Sequence, residues 1–331
     1  MTPILVTMGD PAGIGPEIIV KAFEQGALPG CVVVGDVEIM RRAGSRLTAC
    51  LDHPQDLADV PMGCLPVLQP ANWKAQFDQP LRDMPWGCID GRNGAAAARC
   101  IEAAVQWVQA GQAAAIVTAP VHKEALAAAG VPFPGHTEML QSLAAPAGAT
   151  PLPVRMMLAN EELRVVLVTI HLALRQAIEA VTFEAVLQTL RIAHQAAKGW
   201  GQTRPRMAVA GLNPHAGEGG LFGDEEQLII GPAVQAAVAE GMDAQGPFAP
   251  DTVFMRARRG EFDLVVAMTH DHGLIPVKYL GVEQGVNVTL GLPFVRTSPD
   301  HGTAFDIAGS GQADPSSLVA ALRMAQRLTA R

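Results

Sequence analysis

The sequence predicts an α/β protein with a mostly parallel sheet, and two observations support this. Short apolar runs alternate along the chain with longer helical stretches, as where the run 164–170 precedes the stretch 183–198. Several of these runs end in turn-forming residues with polar side chains, as in 211–220. Strands that alternate with helices form α/β sandwiches, and such folds bind ligands outside the carboxyl ends of their strands.

The composition indicates a globular chain with a substantial core. Of the 331 residues, 49% are hydrophobic and 17% are charged, which excludes a disordered protein. The net charge of -8 argues against general nucleic-acid binding, because that function needs a basic face. The basic cluster 256–259 is interpreted as a solvated turn.

The cysteines and the first residues indicate a reduced, cytoplasmic chain. The 5 cysteines form no CxxC pair, and such usage is typical of reducing compartments. The N-terminus lacks the basic and apolar regions of a signal peptide. The apolar stretch 94–118 is interrupted by polar and charged residues, which argues against a membrane span.

The N-terminal half begins with a strand at 4–8 that leads into the turn 9–17 and a helix. Pro16 suits the first turn of that helix, but the glycines at 9, 13 and 15 do not fit the GxGxxG fingerprint of dinucleotide-binding folds. These glycines are equally consistent with a tight turn and with ligand contact. Further along, we expect the following segments: a strand at 31–34, irregular structure over 44–92, a helix at 95–109, a strand at 115–118, a helix opening at 135–138 and a loop over 144–153.

The C-terminal half continues the alternation. The expected segments are strands at 154–159, 164–170, 206–211, 262–268 and 286–290, helices at 183–198 and 224–240, and a C-terminal helix. Asp314 and Pro315 suit the N-cap and first position of that last helix.

Three strands are each followed by a histidine. His171 follows the run 164–170, His215 lies in the turn after 206–211, and His270 follows the run 262–268 by one residue. Each histidine alone is consistent with a purely structural, hydrogen-bonded role. Because three of them occupy the same topological position, and neutral imidazole is the commonest protein metal ligand, the pattern predicts one shared metal site.

Polar residues after His270 suggest an anion-binding site. Lys278, Asn287 and Arg296 supply two cations and an amide at short spacing, and arginine offers a bidentate fork to phosphate or carboxylate. The sequence is equally consistent with Lys278 and Arg296 as surface charges.

Five segments resemble the 4-hydroxythreonine-4-phosphate dehydrogenase family of vitamin B6 biosynthesis. They are Gly9-Asp-Pro-Ala-Gly-Ile-Gly-Pro-Glu17, Thr118-Ala-Pro-Val-His-Lys123, Gly135-His-Thr-Glu138, Gly211-Leu-Asn-Pro-His-Ala-Gly-Glu-Gly-Gly220 and Arg296-Thr-Ser-Pro-Asp-His-Gly-Thr-Ala304. The last one is also similar to the cofactor loop of isocitrate and isopropylmalate dehydrogenases. The resemblance runs from residue 3 to the C-terminal helix.

The resemblance implies a two-domain α/β/α sandwich of the isocitrate and isopropylmalate dehydrogenase type, with the active site in the interdomain cleft. Residues 1–128 and 297–331 would form the dinucleotide domain. Residues 129–296 would form the domain with the metal and the dimer interface. The protein would be a homodimer whose metal site is shared between subunits.

The resemblance also assigns site residues. His171, His215 and His270 match metal ligands. The matches to substrate-binding positions are His136, Thr137, Lys278, Asn287 and Arg296. Gly302, Thr303 and Asp306 lie where the related dehydrogenases hold the dinucleotide. The general base is open between Asp251 and Lys123, and either could be structural.

The implied reaction is an oxidation with NAD or NADP and one divalent ion (zinc, magnesium or cobalt). It converts 4-phosphooxy-L-threonine to 2-amino-3-oxo-4-phosphooxybutanoate, which decarboxylates to 3-amino-2-oxopropyl phosphate. The family usually has Tyr-His-Asp-Gln-Gly where this chain has Thr269-His-Asp-His-Gly273. Oxidation of D-threonate or D-erythronate 4-phosphate, or of an aromatic cis-dihydrodiol, is therefore a second possible reaction. Two further functions compatible with the three histidines are a metal-dependent hydrolase or aldolase and a non-catalytic metabolite-binding protein.

Overall fold

The computed structural model describes residues 2–77, 79–133, 135–146, 148–281 and 284–330. The chain folds into two compact units. Unit one comprises Met1–Leu152 and Leu292–Thr329, and unit two comprises Pro153–Gly291 and Ala330–Arg331.

Short strands form the centre of each unit. In chain order they are β1 (Ile4–Thr7), β2 (Cys31–Val34), β3 (Thr48–Leu51), β4 (Leu65–Leu68), β5 (Ala115–Thr118), β6 (Arg155–Ala159), β7 (Arg164–Leu167), β8 (Arg206–Ala210), β9 (Asp243–Phe248), β10 (Leu264–Ala267), β11 (Val286–Leu290) and β12 (Val295–Pro299).

Helices connect most of these strands. They are α1 (Gly15–Glu24), α2 (Val37–Arg42), α3 (Trp73–Gln76), α4 (Gly91–Gln109), α5 (Lys123–Ala128), α6 (His136–Ala144), α7 (Leu174–Ala180), α8 (Phe183–Gly199), α9 (Gly231–Ala239), α10 (Pro250–Arg258), α11 (His270–Tyr279) and α12 (Ser316–Thr329). Short 3-10 segments occupy Pro54–Asp59 and Leu81–Asp83, a loop with left-handed backbone spans Pro214–Gly220, and a π-helical turn spans Glu226–Ile230.

The strands of unit one run in the order β3-β4-β2-β1-β5-β12, and each adjacent pair is parallel. The central strands are buried along their whole length, as in Ile4–Thr7 and Cys31–Val34. Continuous apolar runs are what parallel strands need when helices cover both faces of the sheet. The carboxyl ends of these strands consequently share one edge.

The strands of unit two run in the order β11-β6-β7-β10-β8-β9. β7, β10, β8 and β9 are parallel neighbours, whereas β6 is antiparallel to both β11 and β7. The core beneath them includes Val165, Leu167, Ala208 and Val265, each fully buried. The predicted α/β fold class is therefore confirmed, with an antiparallel strand inside a mostly parallel arrangement.

The predicted irregular region 44–92 is wrong in part, because it contains β3 and β4. β3 lies at the end of the strand order and is mostly half-buried or exposed, so its residues lack a continuous apolar pattern. β4 contains Pro66, which argues against a strand in the sequence. The strand β9 is absent from the predicted segments for the same reason, because it contains Gly246 and Pro247. In the predicted loop 144–153, position 147 lies outside the described residues.

The unit boundaries differ from the predicted ones at 128/129 and 296/297. The end of α6 is held in unit one by Gln109, whose amide donates to the carbonyls of Leu143 and Ala144 at 3.2 and 3.5 Å. Arg296 lies on β12, which pairs with β5. His136, Thr137 and Arg296 therefore belong to unit one.

Two sequence expectations about helices are met. Pro16 lies in the first turn of α1, and the backbone N–H of Ser316 donates to the Asp314 carboxylate at 2.9 Å where α12 begins. Within the described ranges, no helix is both long and apolar enough to cross a membrane.

Candidate functional site

The three predicted metal ligands follow three neighbouring parallel strands of unit two. His171 follows β7, His270 begins α11 after β10, and His215 follows β8, in the strand order β7-β10-β8. The rings of His171 and His270 lie 5.7 Å apart between centroids. The structure thus brings these two histidines together, as strand-end convergence predicts.

His215 has other neighbours within the chain. Its Nδ1 lies 3.0 Å from the Glu218 carboxylate, and its ring is edge-on to Phe222 at 5.9 Å. Among the residues that the structure describes, no three His, Cys, Asp or Glu side chains form a group that could hold a metal ion. The arrangement inside one chain therefore supplies two adjacent imidazoles, and His215 does not join them.

The donor chemistry of these residues fits a divalent transition metal. His270 Nδ1 lies 2.8 Å from the Asp271 carboxylate. A carboxylate on the second ring nitrogen is the common arrangement for a metal-binding histidine, since it fixes the tautomer and raises ligand basicity. Imidazole donors favour zinc and similar ions over magnesium, which prefers oxygen ligands.

Unit one contains a buried cationic group at Arg296. The residue is 3% exposed, and its guanidinium donates from Nη2 to Thr118 Oγ1 at 2.6 Å. Burial lowers the pKa of Arg296 to about 10, so the side chain stays charged at neutral pH. A desolvated guanidinium fork is suited to phosphate or carboxylate, and the surface-charge interpretation of Arg296 is wrong.

His136 lies at the start of α6, close to Arg296. Desolvation and, to a smaller extent, the Arg296 cation lower the pKa of His136, and a hydrogen bond to the backbone of Ala119 opposes them, for a net value of about 3. The imidazole is therefore neutral at physiological pH. Its Nε2 is buried and has no hydrogen-bond partner among the described residues, which leaves a ring nitrogen for a ligand.

The segment with Gly302, Thr303 and Asp306 packs against the N-terminal glycine turn. The backbone N–H of Ile14 donates to the Thr303 carbonyl at 3.0 Å. A Cβ on Gly13 would lie 3.1 Å from Thr303, so a larger residue would fit only if this segment moved by a few tenths of an ångström. Thr303 is buried, whereas Gly302 and Asp306 are exposed.

The neighbouring Phe305 side chain stacks on His122, with centroids 4.6 Å apart and an interplanar angle of 14°. His122 directly precedes Lys123, which lies in the first turn of α5 and is exposed. The glycine turn, the Thr303 segment and the His122–Lys123 pair are therefore neighbours within unit one.

Asp10 lies in the glycine turn, and no role was predicted for it from the sequence. Its side chain is fully buried, and Oδ1 accepts the backbone N–H of Ala12 at 2.9 Å. Oδ2 is buried and accepts no hydrogen bond from any residue that the structure describes. Desolvation raises the pKa of Asp10 to about 6, against smaller lowering effects of the Ala12 N–H and of His122. Only the GDPAGIG motif itself marks this position in the sequence.

We expect Asp10→Asn to stabilise the protein at pH 7. The folded-state pKa of about 6 exceeds the ordinary value of 3.8, so the folded state binds the proton more tightly and its stability falls as pH rises from about 4 to about 6. The shift corresponds to about 3 kcal/mol at 1.36 kcal/mol per pKa unit. Chemical denaturation at pH 4 and pH 7 measures this cost. The variant should lose the pH dependence, and the exposed-site control Asp59→Asn should keep it. A variant that is less stable than wild type at pH 7 would contradict the assignment.

The remaining predicted residues lie on several elements. Asp251 is exposed in the first turn of α10, after β9, the strand next to β8. Lys278 is half-buried on α11, Asn287 is half-buried on β11, and Thr137 is half-buried on α6. Of the two positions that depart from the family pattern, Thr269 is buried before α11 and His272 is exposed in its first turn.

Known proteins resemble this chain over nearly its whole length. Residues 27–325 match the family model described as pyridoxal phosphate biosynthetic protein PdxA. The chain is 53% identical over 328 residues to the 4-hydroxythreonine-4-phosphate dehydrogenase of Beijerinckia indica, covering 98% of this chain and 95% of the relative. It is 45% identical over 336 residues to the D-threonate 4-phosphate dehydrogenase of Pectobacterium atrosepticum, covering 98% of each.

A solved structure also resembles this chain over its whole length. The crystal structure of 4-hydroxythreonine-4-phosphate dehydrogenase from Klebsiella pneumoniae matches with a TM-score of 0.88 and 41% identity, covering 100% of both chains.

Proposed function

The chain belongs to the family of the pyridoxal phosphate biosynthetic protein PdxA and is a dehydrogenase, and we propose that its substrate is 4-hydroxythreonine 4-phosphate. The observation that carries this proposal is the match over nearly the full chain to relatives named for that substrate. The product would be 2-amino-3-oxo-4-phosphooxybutanoate, which loses carbon dioxide to give 3-amino-2-oxopropyl phosphate.

His171, His215 and His270 would hold one divalent ion, either zinc or a similar transition metal. Such an ion acts as a Lewis acid on the substrate alcohol and on the ketone that replaces it. The contact between His171 and His270 and the Asp271 carboxylate behind His270 support this assignment. The chain's contribution is to fix the orientation of an imidazole, as the Asp271 carboxylate does for His270.

Arg296 would bind the substrate phosphate, and Lys278 and Asn287 are proposed as further substrate-binding residues. The support for Arg296 is its burial and its fixed position on Thr118. His136 and Thr137 are proposed to hydrogen-bond to the substrate, since His136 Nε2 is buried and its ring is neutral. Fixed contacts of this kind orient the carbinol hydrogen for transfer as hydride.

NAD or NADP would bind at Gly302, Thr303 and Asp306 and accept the hydride. The support is local: the Thr303 carbonyl is tied to the glycine turn through Ile14, and Phe305 beside it is held by His122. An exposed backbone at Gly302 leaves room for close approach by a dinucleotide.

The substrate hydroxyl proton must pass to a base, and Asp251 is the stronger of the two candidates. It lies after β9, at the same strand edge as the histidines after β7, β10 and β8. Lys123 lies in unit one, next to His122. Its place in the Thr118–Lys123 motif keeps it as the second candidate base.

A related substrate is the second candidate. The 45% identity to a D-threonate 4-phosphate dehydrogenase favours a 4-phosphorylated hydroxy acid of that type. The exposed His272 in the first turn of α11, next to the metal-binding His270, is the local difference that could select it.

The function is tested by a metal-supplemented screen that follows the absorbance of reduced nicotinamide. The substrates are 4-phosphooxy-L-threonine, D-threonate and D-erythronate 4-phosphates, and an aromatic cis-dihydrodiol, each with NAD and with NADP. The highest kcat/KM is expected for 4-phosphooxy-L-threonine. A preference for D-threonate 4-phosphate identifies the second candidate, and turnover of the dihydrodiol alone would exclude both.

The proposed homodimer is supported by exposed apolar side chains beside the three histidines. Leu174 is 67% exposed shortly after His171, Leu221 is 72% exposed after His215, and Ile275 is 63% exposed on α11. Exposed apolar groups in one region are typical of surfaces that a partner covers. A second copy of this chain is the partner we propose, with His270 completing the metal site of the other subunit.

Mixing two inactive variants tests the shared site. We expect His215→Ala and His270→Ala homodimers to be inactive, and their mixed dimer to regain about half the wild-type activity, because one of its two sites then has all ligands intact. Subunit exchange is monitored by mass spectrometry of the intact dimer, and unmixed variants are the control. His171 and His270 are close within one chain, so the competing arrangement has His270 bind the metal of its own subunit. Subunit exchange without recovered activity would support that arrangement and contradict the shared site.

A further inference from the structure

The loop that carries His215 has an unusual backbone. Six consecutive residues have positive φ: His215 at 54°, Ala216 at 53°, Gly217 at 77°, Glu218 at 44°, Gly219 at 69° and Gly220 at 98°. Residues with a Cβ rarely adopt this left-handed conformation, and runs of it are rarer still. Such a conformation persists only when the surrounding structure fixes it.

Glu226 is the residue that fixes the start of this loop. Its carboxylate is buried, at 4% exposure, and Oε1 accepts the backbone N–H groups of Leu212 and Asn213, both at 2.7 Å. Oε2 accepts the side-chain amide of Asn213 at 3.0 Å. Asn213 in turn accepts the backbone N–H of Ala216 through its carbonyl at 3.1 Å. The carboxylate therefore holds Leu212 and Asn213, which lie just before the left-handed run that begins at His215.

The loop packs closely against the carboxylate at two glycines. A Cβ on Gly211 would lie 2.9 Å from Glu226 Oε1, and a Cβ on Gly217 would lie 2.8 Å from Oε2. The loop therefore folds directly over both carboxylate oxygens, at the strand end on one side and within the left-handed run on the other. Gly211 and Gly217 therefore leave room for the Glu226 side chain.

The helix that supplies Glu226 is itself irregular. Glu226 is the first residue of the π-helical turn Glu226–Ile230, and its carbonyl accepts the backbone N–H of Gly231. π-Helical turns change the direction in which a side chain leaves a helix and are frequent at functional sites. Glu226 thus reaches the His215 loop from a turn that differs from the α-helix that follows it.

We propose that Glu226 is a positioning residue that holds His215 in its metal-binding orientation. The role of His215 as a metal ligand rests on the proposed function. The claim that Glu226 fixes the loop backbone rests on its hydrogen bonds alone. The Glu226 carboxylate is engaged by donors of the loop. It acts through the backbone of Leu212 and Asn213.

The first test measures the hold on the loop without metal or substrate. Glu226→Gln keeps the side-chain volume but replaces one acceptor oxygen with an NH2 group. This group faces either the Asn213 side-chain amide or the backbone N–H groups of Leu212 and Asn213, and all of these are donors. Hydrogen exchange of the Leu212 and Asn213 amides should accelerate in this variant. Glu240→Gln, which removes a charge that pairs with Arg191 in the same unit, is the matched control and should leave these amides protected. Unchanged exchange in Glu226→Gln would overturn the inference.

The second test measures Co²⁺ affinity from the visible absorption of the bound ion. Loss of a group that orients a ligand costs about 10- to 100-fold in metal affinity, and we expect this in Glu226→Gln. In the His215→Ala background the same change should cost less than about twofold, because the ligand that it positions is gone. Wild-type affinity in Glu226→Gln, or full additivity in the double variant, would overturn the positioning role. If the wild-type chain binds no Co²⁺, the proposed metal site is wrong, and so is the claim that Glu226 orients His215 for a metal. The hydrogen-exchange result still tests separately whether Glu226 fixes the backbone of the loop.

Discussion

His215→Ala is expected to abolish dehydrogenase activity and to weaken divalent-metal binding by more than about 100-fold. Loss of a group behind a ligand already costs about 10- to 100-fold, and this change removes a proposed ligand itself. Because His215 is 65% exposed in its side chain, its removal leaves the core intact. Metal content by elemental analysis and kcat from nicotinamide reduction measure the two effects.

The control for this prediction is His53→Ala, which removes an exposed histidine in the other unit. It should retain metal and activity. Chelator-treated wild type should lose activity as His215→Ala does, and added Co²⁺ should restore wild type alone. Full metal content together with full turnover in His215→Ala would show that His215 is misassigned.

Arg296→Lys is expected to raise KM for the phosphorylated substrate about tenfold, because the bidentate fork is lost while the charge is kept. Arg296 is buried and tied to Thr118, so a lysine ammonium cannot reproduce both its contacts. The value of kcat should fall less than KM rises, since the phosphate is bound in both the ground state and the transition state.

The matched control is Arg259→Lys, at an exposed position on the end of α10, which should leave KM unchanged. The unphosphorylated analogue 4-hydroxy-L-threonine provides a second comparison. The two enzymes, wild type and Arg296→Lys, should turn it over with similar kcat/KM. An equal loss on both substrates would show that Arg296 does not recognise the phosphate.

The positions of His171 and His270 are predictable from the sequence because they depend only on strand ends. Apolar runs mark β7 and β10, and parallel neighbours share an edge, so the residues that follow them come together. His215 follows β8 in the same way, but its side chain lies beside Glu218 and Phe222. The left-handed run that places it includes alanine and glutamate, and no sequence pattern indicates that these residues adopt positive φ.

Buried carboxylates are a second kind of feature that the sequence does not reveal. Asp10 and Glu226 are each almost completely buried, although acidic residues are rarely buried in proteins. Their burial depends on backbone N–H donors that only the folded turns supply. A hydrophobicity pattern places such residues on the surface by default.

The strands β3 and β4 lack the sequence pattern that predicts the other strands of unit one. β3 is half-exposed and β4 contains Pro66, so neither has the continuous apolar run that marks β1, β2 and β5. The sequence is consistent with Arg296 either as a surface charge or as an anion-binding residue, because its burial on β12 depends on pairing with β5, which is distant in sequence. Its proposed role in substrate binding rests instead on the resemblance to the dehydrogenase family.

The central claim, oxidation of 4-hydroxythreonine 4-phosphate followed by decarboxylation, is tested most directly by product stoichiometry. Wild-type protein with Co²⁺ or Zn²⁺, NAD or NADP, and carboxyl-labelled 4-phosphooxy-L-threonine should release labelled carbon dioxide in equal molar amount to the reduced nicotinamide formed. No nicotinamide reduction with either dinucleotide, under conditions where the metal is bound, would contradict the account.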